Sequence, residues 1–149
     1  MKKISINSNF SVFDSIDDLP VQVVQLFESA KKIRKIAYSK YSNFSVGVAV
    51  LLDNGEVICG NNQENAAYPS GMCAERTALF YANSQHPDST INCLVIVAGS
   101  DSKVNKTPIA PCGGCRQVIS EFETKQNSPI GIYFICLLYT SPSPRDVEE

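Results

Sequence analysis

Residues 45–60 read Ser-Val-Gly-Val-Ala-Val-Leu-Leu-Asp-Asn-Gly-Glu-Val-Ile-Cys-Gly. Ser45 to Leu52 is apolar and rich in β-branched residues, which predicts a strand. Asn54-Gly55 is the strongest short-range hairpin signal available, because both residue types tolerate positive φ. Glu56 to Gly60 is then the returning strand. Upstream, Asp17-Asp18-Leu19-Pro20 looks like a helix start, with a capping Asp and a Pro in the first turn. Leu19, Val23, Phe27, Ala30, Ile33 and Ala37 follow at helical spacing, which predicts an amphipathic helix over 18–38. Downstream, 61–71 is a loop rich in Asn, Ala, Pro and Gly. Residues 72–84 form a helix closed by His86-Pro87-Asp88. The pattern continues with a strand over 91–98, a loop over 99–111, a helix over 112–122 and a strand over 130–135. The order α-β-β-α-β-α-β predicts an α/β domain, one sheet with helices packed against it.

The chain has 149 residues, which suits one domain. Hydrophobic residues make up 44% and charged residues 19%, ordinary values for a globular protein that argue against a disordered chain. Thirteen basic residues stand against fifteen acidic ones, for a net charge of −2. This balance disfavours a dedicated nucleic-acid binder. No apolar run approaches the roughly 18 residues that span a bilayer. Met1-Lys2-Lys3 resembles the start of an export signal, but Ser5, Asn7, Ser8 and Asn9 interrupt any apolar segment. A cytoplasmic protein is expected. The composition changes at Cys136, where CLLYTSPSPRDVEE replaces patterned sequence with Ser-Pro repeats. We therefore expect a domain over 1–135 and a non-native or disordered tail over 136–149.

Six cysteines, at 59, 73, 93, 112, 115 and 136, need an account. Thiols stay reduced in the cytosol, so metal binding or catalysis is a better expectation than a disulfide framework. Cys73 opens one predicted helix, and Cys112 and Cys115 open another. Positions i and i+3 share a helical face, so Cys112 and Cys115 can converge on one point. Free N–H groups and the dipole at a helix N-terminus favour thiolate, the form a metal needs. Three thiolates suit zinc, and a count of three leaves a fourth position for water, as in catalytic rather than structural sites. The one histidine, His86, falls past a helix end beside Pro87 and is expected on the surface. Glu75, two residues after Cys73, can move protons beside a metal-activated water. Alone it could equally serve the first helical turn electrostatically. Cys59 and Cys93, inside apolar strands, are expected as small buried core residues.

Cys73-Ala74-Glu75 followed by Pro111-Cys112-x-x-Cys115 resembles the C-x-E…P-C-x-x-C signature of zinc-dependent nucleoside and nucleotide deaminases. The likeness extends to Tyr41-Ser42-Asn43-Phe44-Ser45-Val46-Gly47, Asn62-Gln63-Glu64-Asn65-Ala66 and Met72-Cys73-Ala74-Glu75-Arg76-Thr77-Ala78. Together these resemble cytidine deaminases of the short, homotetrameric kind, from about residue 20 to 135. The resemblance implies a three-layer fold, with a central mixed β-sheet flanked by helices. It implies one Zn²⁺ per subunit on Cys73, Cys112 and Cys115, and hydrolysis of cytidine and 2′-deoxycytidine to their uridine forms plus ammonia in pyrimidine salvage. Activated water would attack C4 of the base while Glu75 shuttles protons. Asn62 and Glu64 match positions that hydrogen-bond ribose hydroxyls, and Phe44 one that packs on the pyrimidine face. Ala66 matches a backbone contact to the base, and Tyr68 a residue that reaches a neighbouring subunit's pocket. Arg76 matches an arginine that draws charge from the ligand sulfurs.

Without the resemblance, Phe44 would be assigned to the core and Asn61-Asn62 to a turn. Alternatives are a deaminase of another aminopyrimidine nucleoside, such as blasticidin S, and a non-catalytic zinc-binding module. A polynucleotide deaminase would need a basic strip, and a thiol redox protein would use Cys112 and Cys115 without metal. Two departures stand out. Ala110 replaces the Ser or Thr usual before the Pro. The strand, short helix and late phenylalanine that the family carries after position 135 have no counterpart in the tail.

Overall fold

The computed structural model describes residues 1–103 and 105–136. Strand β1 (Ser45–Leu52) and strand β2 (Val57–Asn61) pair antiparallel, from Gly47 opposite Asn61 to Leu51 opposite Val57. The turn is a three-residue loop rather than a two-residue one. Leu52 N–H donates to Glu56 O, and only Gly55 takes positive φ, at 86°. Asn54 instead uses its side chain, Oδ1 accepting from Glu56 N–H at 2.9 Å.

β1 also pairs antiparallel with β3 (Ile91–Gly99), and β3 pairs parallel with β4 (Gly131–Cys136), so the sheet order is β2-β1-β3-β4. Helix α1 (Val21–Arg34) covers one face. Helices α2 (Ala74–Gln85) and α3 (Gly113–Gln126) pack on the other. Strand alternation sorts the core accordingly. Val48, Val50, Leu94 and Ile96 meet Ala78, Leu79 and Ile119. Ala49, Leu51, Val95 and Val97 meet Val23, Leu26, Phe27 and Ala30. The expected α/β architecture with a mixed, helix-flanked sheet is therefore observed. Cys93 is buried as expected, whereas Cys59, on the edge strand β2, is only half-buried.

The first helix is shorter than 18–38 at both ends. Ser15 caps a separate 3-10 turn over Ile16–Asp18 by accepting from Asp17 N–H. Pro20 is extended (φ −55°, ψ 139°), and α1 begins after it. At the other end Tyr38 N–H donates to Asn62 O at 3.0 Å, so Tyr38 leaves the helix to pair with the 62–64 strand-like segment. Residues 137–149, most of the expected tail, lie outside the described residues. Among the described residues no helix is long and apolar enough to cross a membrane.

Two glycines let the layers approach. A Cβ on Gly47 would land on Ala30 O and Arg34 of α1. A Cβ on Gly60 would sit 2.6 Å from Ala78 N and 2.9 Å from Ala74 O of α2. The start of α2 is thus seated directly on β2.

Candidate active site and metal centre

Cys73 is the N-cap of α2 and Cys112 the N-cap of α3, both with extended backbone. Cys115 lies in the first turn of α3 and is fully buried. Their sulfurs converge: Cys73 Sγ lies 3.8 Å from Cys112 Sγ, which lies 3.5 Å from Cys115 Sγ. All three fall within 4.8 Å of one another. Zinc–sulfur bonds of about 2.3 Å at tetrahedral angles separate sulfurs by about 3.8 Å, so this triangle has the size and the donors zinc takes. His86 is no part of it. It caps the C-terminus of α2, with Nδ1 3.4 Å from Asn54 Nδ2.

The electrostatics are polarised. The Cys115 backbone N–H at the start of α3 holds the Cys112 thiol below its ordinary range, against the opposing effect of burial. Burial, then the charge of Glu75, pushes the Cys115 thiol well above that range. Glu75 is itself buried, 7% exposed, in the first turn of α2. A cation here would reverse the balance at Cys115, because thiolates become the stable form once metal-bound. Arg76 Nη2 donates to Cys73 Sγ at 3.4 Å, and that bond keeps the guanidinium firmly charged. Its Nε is buried without a partner among the described residues.

Beside the sulfur triangle a small ladder joins three loops. Gln63 pairs with Tyr38 on one side and with Met72 on the other. Gln63 N–H donates to Met72 O at 2.9 Å, one residue before Cys73. Asn62 clamps the entrance of β1: its Oδ1 accepts from Val46 N–H at 2.8 Å and its Nδ2 donates to Phe44 O at 2.9 Å. Glu64 accepts from Ser42 Oγ at 2.8 Å and from Ser42 N–H at 3.2 Å. Phe44 is half-buried between these contacts. Ala66 and Tyr68 are exposed, Tyr68 at 92%.

Some contributors escape sequence reasoning. Ser42 bridges Glu64 and Phe44, with Asn43 beside it in the left-handed region at φ 53°. A Ser-Asn pair is a turn signal, but nothing local names its partner 22 residues away. Ser39 and Ser45 share a hydroxyl hydrogen bond at 2.8 Å across the same turn. Arg116 Nε donates to Pro111 O at 2.9 Å and fixes the turn that carries Cys112.

The comparisons agree with this geometry. Residues 21–128 match the family described as the cytidine and deoxycytidylate deaminase zinc-binding region. A cytidine deaminase of Sporosarcina psychrophila is 44% identical over 102 residues, covering 68% of this chain and 71% of its own length. One from Halalkalibacterium halodurans is 45% identical over 96 residues, covering 64% and 68%. The crystal structure of cytidine deaminase from Burkholderia pseudomallei superposes with a TM-score of 0.65 at 38% identity, covering 76% of this chain and 84% of that one. The chain, with a zinc-competent cysteine triad at two helix starts, belongs to the cytidine and deoxycytidylate deaminase family.

Proposed function

We propose that this protein hydrolyses cytidine and 2′-deoxycytidine to uridine and 2′-deoxyuridine, releasing ammonia. The observation that carries the proposal is the convergence of Cys73, Cys112 and Cys115 sulfurs beside buried Glu75. Cys73, Cys112 and Cys115 would hold Zn²⁺, which supplies an acidified water and charge stabilisation at the reacting carbon. Glu75 takes a proton from the water whose oxygen bonds to C4. It passes that proton to N3 of the ring, then takes the second proton from the new C4 hydroxyl and delivers it to the amino group, so that C4=O forms as the C4–N4 bond breaks and ammonia leaves as the neutral product. Its burial favours this exchange, because a carboxylate screened from solvent trades protons with substrate rather than bulk water. Arg76 draws charge from Cys73 Sγ through its 3.4 Å hydrogen bond. This offsets the excess negative charge of three thiolates on a divalent ion.

Phe44 packs on the pyrimidine face, and the Ala66 backbone meets the base edge. Asn62 and Glu64 take the ribose hydroxyls, with the lone pairs and the N–H that their internal bonds leave available. Tyr68, almost wholly exposed in the single chain, reaches a neighbouring subunit of a homotetramer. The partner molecule is a small nucleoside rather than a nucleic acid or a membrane. The role is pyrimidine salvage in the cytoplasm, and the domain ends near residue 135. The test is conversion of cytidine to uridine by zinc-loaded protein, followed by ultraviolet absorbance, with Glu75→Gln as control. Turnover that survives in Glu75→Gln removes Glu75 from the mechanism. Absence of uridine from the zinc-loaded parent chain defeats the assignment.

A further inference from the structure

The Ser42 hydroxyl has one proton and two contacts that matter. It lies 2.8 Å from Glu64 Oε1 and 3.4 Å from Phe44 O, so the proton goes to the carboxylate. Its lone pair then accepts from Phe44 N–H at 3.1 Å. The Ser42 backbone N–H adds a second donor to Glu64, 3.2 Å from each carboxylate oxygen. Asn43 at φ 53° turns the chain so that both donors of Ser42 face Glu64. Asn43 N–H is tied back to Ser39 O at 2.8 Å. A carboxylate on a flexible side chain is thereby fixed in one orientation, and the same hydroxyl sets the backbone of the aromatic residue.

We propose that Ser42 is a positioning and specificity-determining residue, whose hydroxyl, itself held by Phe44 N–H, fixes the Glu64 carboxylate for the 3′-hydroxyl that cytidine and 2′-deoxycytidine share. The inference rests on the proposed role of Glu64 at the ribose. Loss of the hydroxyl leaves Glu64 with the weaker backbone donor and frees it to turn. Recognition of the sugar hydroxyl suffers, while Glu75 and the three sulfurs stay in place. The substrate dependence follows directly: a nucleoside without the 3′-hydroxyl has nothing to lose at Glu64.

The experiment measures kcat and KM of the zinc-loaded full chain with cytidine and with 3′-deoxycytidine, for Ser42→Ala, Ser42→Thr and Glu64→Gln. Ser42→Ala should raise KM for cytidine about tenfold, the effect of one hydrogen bond to a charged group, with kcat changed less than about twofold. KM for 3′-deoxycytidine should move less than about threefold. Ser42→Thr, which keeps the hydroxyl, should recover most of the loss. An unchanged KM for cytidine in Ser42→Ala overturns the proposal. So does an equal rise for both substrates while Glu64→Gln still discriminates between them, because Ser42 then acts on the fold and not through Glu64. A fall in kcat together with a lowered melting temperature also overturns it. If Glu64→Gln penalises both substrates equally, the sugar assignment of Glu64 fails, and the role of Ser42 fails with it.

Discussion

Gly60→Ala tests whether the seating of α2 on β2 sets the chemistry. The added methyl would meet Ala78 N at 2.6 Å, Ala74 O at 2.9 Å and Ala78 Cβ at 2.9 Å. The first contact is about 0.8 Å short of ordinary van der Waals separation, and its partners are mostly backbone, so no rotamer change relieves it. The helix must lift. Ala74 follows Cys73 and precedes Glu75, so lifting α2 draws one thiol and the proposed proton carrier, Glu75, away from the two thiols on α3. Overpacking of this kind costs about 1–3 kcal/mol of stability. A displacement approaching 1 Å at reacting groups costs on the order of 100-fold in rate. Three quantities separate the effects: melting temperature, zinc per chain by mass spectrometry, and kcat/KM per zinc-loaded molecule. We expect a chain that is folded at 20 °C, with reduced zinc retention and at least tenfold lower kcat/KM. Gly47→Ala is the control, because its methyl strikes α1 on the opposite face. That variant should lose stability and keep its zinc. Parent-like zinc content and kcat/KM in folded Gly60→Ala would refute the link between this contact and the site.

Glu75→Gln should lower kcat by at least about 1000-fold, within the range for loss of an acid–base group, with zinc content unchanged. Arg76→Ala should reduce kcat about 10- to 100-fold, because Cys73 Sγ loses its donor and the sulfurs keep their full charge; Arg76→Lys should recover part of the loss. Zinc uptake by metal-free protein should release protons and weaken steadily as pH falls, because buried Cys115 must give up a proton held above its ordinary range. Competition with a chelator across that range checks it, and pH-independent affinity would count against thiolate ligation. Burial also raises the Cys93 thiol above its ordinary value of 9.0. The unfolded chain therefore ionises first, and this stabilisation is present below pH 9.0 and lost as pH rises through the folded-state value. Urea titrations of parent and Cys93→Ala at neutral and alkaline pH should show a smaller alkaline loss in the variant.

Much of the fold was legible because its determinants are local. Asn54-Gly55 between two apolar runs specifies a hairpin, and apolar spacing specifies α1, α2 and α3. The ends of α1 were less so. Pro20 caps α1 with extended backbone instead of entering it, and the pairing of Tyr38 with Gln63 is a tertiary event that propensity does not register. The candidate metal centre was legible for a physical reason: its three cysteines sit at two helix starts, where spacing and dipole both act on thiols. The turn chemistry around Ser42 and the packing at Gly60 were not. Each depends on which residue a distant segment delivers to the same point, and a single sequence carries no sign of that.

The unequal treatment of Cys112 and Cys115 has a consequence for assembly. Cys112 is exposed and held toward thiolate by a backbone N–H of α3, whereas Cys115 is buried and held toward thiol. A metal held by this triad would therefore meet one ready thiol first and would have to displace a proton from the second. The buried thiol would oppose ionisation only while no cation is near; with one bound, the same low-dielectric surroundings would strengthen its attraction to the thiolate. Glu75, whose charge disfavours thiolate at Cys115 in the metal-free chain, would then share the field of the cation. Binding free energy would thus be coupled to joining α2 with α3, two helices that otherwise meet mainly through the sheet beneath them.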